Sequence, residues 1–161
     1  MTTTDFEPLI ESSVEIAAPP SQVWPLVTDL VGMSERSPQV VKTHVRGGGP
    51  IGLGSRTINL NRRGLLFWPT QAKVVRFEPE TEFAFRIKEN WTIWSFTLTP
   101  TDSGTHLVQR REAPDGLSGV SAGLTKRLLG GQKVFTAELR EGMAATLASI
   151  KADAEGARVG M

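Results

Sequence analysis

An arginine and a glutamine on one strand, a second arginine at a turn, and a set of aromatic side chains are the residues of this chain that could do chemistry. Thr105, Leu107, Gln109 and Arg111 recur at every second position and so share one face of a strand. If that face is inward, an amide and a guanidinium project into apolar surroundings, where each needs a partner. The bland alternative is an internal hydrogen-bond network, or an outward face. Arg62 lies in the run Asn61-Arg62-Arg63-Gly64, and adjacent arginines on a strand point to opposite faces. With Ile58 and Leu60 as the inner set, Arg62 reaches the rim of the interior and can hold a carboxylate or enolate oxygen with its planar fork. As a solvated strand end beside the Arg63-Gly64 turn it has no such role. Trp68, Phe85, Trp94 and Phe96 on strands, with Phe135 and Leu139 on a helix, are either plain core or the wall of a pocket.

Other chemistries are thin. The chain has no cysteine, no tyrosine and only two histidines, which removes disulfides, thiolate metal sites and cysteine nucleophiles. His44 and His106 alternate with apolar neighbours and should point to solvent, so no metal site and no cofactor are expected. Gly119-Val120-Ser121-Ala122-Gly123 has the letters of a nucleophile elbow. It lacks the buried strand before it, and both histidines lie upstream rather than downstream. Gly47-Gly48-Gly49-Pro50-Ile51-Gly52 has the letters of a dinucleotide loop, but a strand pattern follows where the phosphate-binding helix should start. It reads as a hairpin loop.

The elements that must position these residues follow from periodicity. At 161 residues the chain is the size of one domain and can bury roughly 70% of its extended surface. Ile10, Ser12, Val14 and Ile16 alternate as a half-buried strand, stopped by Pro19-Pro20. Ser21 then caps a short helix that places Val23, Val27, Leu30 and Val31 on one side. Between Val40 and Ala113 lies a series of short strands separated by turn residues, which favours one curved antiparallel sheet. From Gln132 to Glu155 there is no proline, and Phe135, Leu139, Met143, Leu147 and Ile150 recur at helical spacing. That helix of about 24 residues is roughly 36 Å long. Laid on a curved sheet, it leaves a cavity wherever side chains do not fill the space between.

This order of elements, and a set of local strings, resembles the SRPBCC superfamily (START/Bet v1-like), and its polyketide cyclase/dehydrase branch in particular. The strings are Val14-Glu15-Ile16-Ala17-Ala18-Pro19 with Val23-Trp24, Gly52-Leu53-Gly54, Trp68-Pro69-Thr70, Phe77-Glu78-Pro79, Gly104-Thr105, and Gly142 to Leu147 with Lys151 and Glu155. The resemblance implies an α+β helix-grip fold: six to seven antiparallel strands around a long C-terminal helix, with two short helices after strand 1. It spans a single domain over residues 9–155, flanked by tails at 1–8 and 156–161. It further implies binding of a small hydrophobic molecule (lipid, sterol or polyketide-like) in a cavity between sheet and helix. Arg62, Gln109 and Arg111 would be its polar markers, over a wall of Trp68, Phe85, Trp94, Phe96, Phe135 and Leu139. A cyclase or dehydratase using the same cavity is the alternative; an acidic residue is common near position 109 in such proteins, and Gln109 cannot act as a general base. A filled core would instead suit a protein-interaction module. With a net charge of +1 no nucleic-acid partner is expected. The N-terminus lacks the basic and apolar regions of a secretory signal, and no apolar run is long enough to span a bilayer, so a cytoplasmic protein is expected, monomer or homodimer.

Overall fold

A computed structural model of the chain describes residues 8–37, 40–114 and 132–159. The elements are β1 (Leu9–Ile16), α1 (Pro20–Thr28), α2 (Met33–Arg36), β2 (Val40–Val45), β3 (Arg56–Arg63), β4 (Leu66–Glu78), β5 (Glu82–Ile87), β6 (Ile93–Thr101), β7 (Gly104–Glu112) and α3 (Gln132–Val159). All seven strands form one antiparallel sheet in the order β1-β7-β6-β5-β4-β3-β2. Strands β2 to β7 meander through successive hairpins, and β1 closes the far edge on β7. Register shifts at Val40/Lys42 and at Val74/Arg76 bend the strands, because an extra residue on one side tightens the local twist. The result is the helix-grip arrangement, with α3 against the concave face. No described helix is long and apolar enough to cross a membrane.

Several local expectations shift. Helix α1 begins at Pro20, with Pro19 as its uncapped N-cap, since a proline's fixed φ suits the first helical position; Ser21 is therefore inside the first turn rather than the cap. The helix ends at Thr28, so Val23, Val27 and Leu30 are buried while Val31 leaves the helical stripe and is exposed. The irregularity at the start of β2 turns Val41 outward and Thr43 inward. Helix α3 continues to Val159, four residues past the stretch expected from periodicity. The nucleophile-elbow string at Gly119–Gly123 lies outside the described residues.

Two strings of the resemblance acquire a physical reason. Thr105 donates its hydroxyl to the Ala18 carbonyl at 2.7 Å in the buried interior, and a Cβ at Gly104 would collide with the Ile16 carbonyl oxygen. Only glycine lets β7 start that close to the end of β1. At the other end, Glu155 accepts a hydrogen bond from the Ala17 amide at 2.8 Å, and Lys151 donates to the Glu15 carbonyl at 2.8 Å. These bonds dock the C-terminal half of α3 on the exit of β1.

The core divides along α3. Its C-terminal half, with Leu147, Ile150 and Ala154, packs among Ile16, Val23, Val27, Phe83 and Leu107. An edge-to-face contact of Phe77 with Phe83 and a tilted contact of Phe83 with Phe85 (centroids 6.1 and 6.0 Å) continue that packing. Among the described residues, the N-terminal half packs Leu139 and Met143 with Ile10, against the partly buried Trp94 and Phe135. There the space is not filled.

Candidate functional site: a polar-marked cavity under the long helix

A cavity of about 170 Å³ lies between the N-terminal half of α3 and the concave face of the sheet. Strands β4, β5 and β6 supply Trp68, Phe85, Trp94 and Phe96; α3 supplies Phe135, Leu139 and Met143; β7 supplies Gln109 and Arg111. Strand alternation delivers these positions. Phe85 faces Trp94 and Trp94 faces Arg111 across neighbouring strands, while Phe96 faces Gln109. On the other side Arg111 faces Ile10 and Gln109 faces Ser12.

Arg111 is therefore a cation in an apolar row. It is only 4% exposed, and burial lowers its pKa to about 10, with no compensating carboxylate or hydrogen bond among the described residues. Beside it in the ladder, Gln109 is 6% exposed, and its Oε1 is buried without a hydrogen-bond partner among the described residues. Buried polar groups are nearly always satisfied, so an acceptor without a donor beside a buried guanidinium sets this wall apart from the apolar packing around it.

The opposite wall differs from the sequence expectation. Arg62 points away from the cavity: its Nε donates to the Gly64 carbonyl at 2.7 Å, and its guanidinium stacks 5.5 Å from the Phe67 ring centroid on the outer face. Ile58 and Leu60, taken as the inner set, are exposed with it. The inner set of β3 is Thr57, Asn59 and Asn61. The reason is register. The tight turn at Gly64-Leu65 pairs Arg63 with Leu66, which places Asn61 opposite Trp68 and Arg62 opposite Phe67. If Trp68 faces inward, Arg62 cannot, because a one-residue step exchanges the faces. That pairing was readable from the turn; the apolar alternation of Ile58 and Leu60 pointed the other way.

Sequence reasoning missed the polar residues this wall contributes. Asn59 accepts the Thr43 hydroxyl at 2.9 Å, and the Asn61 amide donates to Thr70 Oγ1 at 2.9 Å and to the Trp68 carbonyl at 3.2 Å. At the rim, Arg63 and Glu138 form a two-bond ion pair, both at 2.8 Å, linking the end of β3 to α3. The hydrogen bond holds the Glu138 carboxyl below its ordinary range and raises Arg63. Both partners are about one-third exposed, so the link is a weak strap rather than a structural anchor.

Other features of the sequence fall away from this site. Gly47, Gly48 and Gly49 adopt positive φ in the connection between β2 and β3, and a strand follows them. His44 is exposed, and His106 pairs with Glu15 on the outer surface. Among the described residues no three His, Asp or Glu side chains gather into a metal-binding group. Because Arg62 lies in solvent, Arg62→Met should change affinity for any cavity ligand by no more than about 0.5 kcal/mol. A binding titration showing a tenfold loss would put its guanidinium back inside.

This architecture recurs in solved structures at low sequence identity. The two-domain aromatase/cyclase StfQ of the steffimycin biosynthetic pathway superposes with a TM-score of 0.76 at 17% identity, covering 98% of this chain and 53% of that one. The present chain thus spans about half of that protein. A Streptomyces aromatase/cyclase, ZhuI, gives a TM-score of 0.71 at 17% identity over 91% of this chain and 93% of its own. TTHA0849 from Thermus thermophilus gives 0.69 at 19% identity, over 93% and 99%. These likenesses establish the fold. A search of curated proteins finds no match. A family model described as polyketide cyclase / dehydrase and lipid transport matches residues 8–155, the stretch that builds both the sheet and the helix over the cavity, and the chain belongs to that family.

Proposed function

We propose that the protein binds a compact, mostly apolar molecule that presents an acidic or strongly polarised oxygen to Arg111 and a hydroxyl to Gln109. The observation that carries this reading is the buried Arg111 guanidinium without a counter-charge among the described residues. A buried charge left alone costs several kcal/mol, and an anionic or enolic ligand oxygen offsets that cost on binding. Gln109 Oε1, an acceptor without a donor, suits a neighbouring hydroxyl. The volume of about 170 Å³ resembles that of an apolar cavity of about 150 Å³ known to take benzene. It favours a one- or two-ring aromatic or polyketide-like ligand over a sterol or a long acyl chain. The binding unit is the domain over residues 9–155, acting in the cytoplasm.

The same cavity suits a cyclase or dehydratase less well. Arg111 could stabilise an enolate, but among the described lining residues it is the only ionisable side chain. General acid–base steps need a group that can give or take a proton near neutral pH.

The test is displacement of a hydrophobic fluorescent probe from natively folded protein by matched pairs of aromatic ligands, one acidic and one neutral. The acidic member should bind more tightly, and probe binding should vanish on cooperative unfolding. If neither probe nor ligand binds at tens of micromolar, about −6 kcal/mol, the binding reading fails. Turnover of a poly-β-ketone analogue without an added enzyme would favour the catalytic alternative.

A further inference from the structure

The sheet wing formed by β2, β3 and β4 has an outer face that the cavity does not use. From residue 40 to residue 77 the chain carries seven Lys and Arg and no Asp or Glu. With +7 here and +1 in the whole chain, the remainder carries −6. Two of the seven meet carboxylates from other elements, Arg63 with Glu138 and Arg76 with Glu82 and Glu112; the other five, Lys42, Arg46, Arg56, Arg62 and Lys73, leave this wing with an excess of positive charge. On the outer face of the β3–β4 hairpin, Arg56 pairs with Lys73 at one end and Arg62 with Phe67 at the other. Between these ends Ile58 and Leu60 remain exposed. At the tip, Leu65 is 94% exposed and Phe67 50% exposed, and Arg62 stacks on the Phe67 ring. An exposed apolar strip rimmed by cations on one face marks an interaction surface.

We propose that this face docks on an anionic lipid bilayer, with Leu65 and Phe67 entering the headgroup region and the flanking arginines and lysines meeting lipid phosphates. Apolar insertion and attraction to anionic lipid act together in such peripheral binding. A second copy of the chain is a poor occupant, since a symmetric contact would press one cationic face against another. A nucleic acid would satisfy the cations but gives a protruding leucine nothing to pack on. A fluid bilayer, by contrast, accepts a convex apolar tip. This inference stands apart from the cavity ligand, because none of these outer side chains reaches the cavity.

The experiment is co-sedimentation of the full chain with vesicles of phosphatidylcholine alone, or with phosphatidylglycerol added, at low and high salt. Binding is expected only to the anionic vesicles and should fall steeply as salt is raised. Lys42→Gln and Arg62→Gln should each weaken it about fivefold. Leu65→Ser with Phe67→Ser should weaken it further while leaving the salt dependence in place. Since the chain has no cysteine, Leu65→Cys carries a single environment-sensitive dye, whose emission should shift to the blue on anionic vesicles. All of these positions are exposed, and unchanged thermal melts and cavity-probe binding will show that the variants fold. Absence of binding to anionic vesicles at low salt overturns the proposal. So does binding that the serine pair leaves untouched. Equal binding to a soluble polyanion such as heparin, with no shift of the dye, would assign the face to an acidic macromolecule instead.

Discussion

Arg111→Met should make the unliganded protein more stable and at the same time cost it its acidic ligand. The guanidinium is buried, and burial alone brings its pKa from the ordinary guanidinium range down to about 10. A displacement of that size corresponds to roughly 3 kcal/mol of penalty for holding the charge inside. Methionine keeps most of the stem volume and removes the charge, so a gain of about 1–3 kcal/mol is expected in urea or thermal unfolding. The pH dependence has a definite sign. Below a pH of about 10 the side chain is charged in both folded and unfolded chains, so the penalty is constant through the neutral range. Only between that value and the ordinary guanidinium pKa does the unfolded chain bind more protons, and there wild-type stability rises with pH. The gain from Arg111→Met should thus be flat through neutrality and shrink only in strong alkali. Affinity for an acidic ligand should fall by roughly 1.5–3 kcal/mol, the scale of a charged hydrogen bond, while a neutral ligand of the same shape binds nearly as before. A variant less stable than wild type, or one that loses both ligands equally, would make Arg111 a structural strut.

Leu147→Asp should be the most damaging single change on α3. Leu147 is 2% exposed and packs in the filled half of the core. A carboxylate there would be surrounded by the apolar side chains that pack on Leu147, and the expected loss is about 3–5 kcal/mol. Leu139→Asp is the comparison. Leu139 is almost as buried but borders the cavity, whose space and polar groups can solvate a carboxylate, so its loss should be distinctly smaller. Urea titrations of the two variants measure the difference. Equal losses would mean that the space beneath the N-terminal half of α3 is as closely packed as the rest, which would contradict the division of the core.

Much of the cavity's strong wall was legible in the sequence. Gln109 and Arg111 alternate with Thr105 and Leu107, and Phe85, Trp94 and Phe96 lie on strands whose period-two pattern is unambiguous because large apolar side chains occupy the inner face. Phe135 and Leu139 follow from a helical stripe that continues through Met143 to Ile150. Where packing drives folding, hydrophobic period reports orientation. Strand β3 breaks that link. Its inner residues, Thr57, Asn59 and Asn61, border an unfilled space, and Asn59 and Asn61 hydrogen-bond to Thr43 and Thr70 on the neighbouring strands, so nothing required them to be apolar. Its outer residues, Ile58 and Leu60, are apolar without being buried. The alternation is real and its sign is inverted, and only the pairing of Asn61 with Trp68 through the Gly64-Leu65 turn decides it. The sequence also could not say which half of α3 meets a filled core, since that depends on volumes summed over β1, α1 and the middle strands rather than on any local pattern. Nor could it say that Arg111 lacks a counter-charge among the described residues. The nearest acidic residue in sequence, Glu112, points to the other face and pairs with Arg76, and whether a distant carboxylate arrives is settled by strand order alone. Periodicity determined which residues share a face; tertiary contacts decided which face encloses the cavity and which charge in it has no partner among the described residues, because register and void are properties of pairs of elements and not of any one segment.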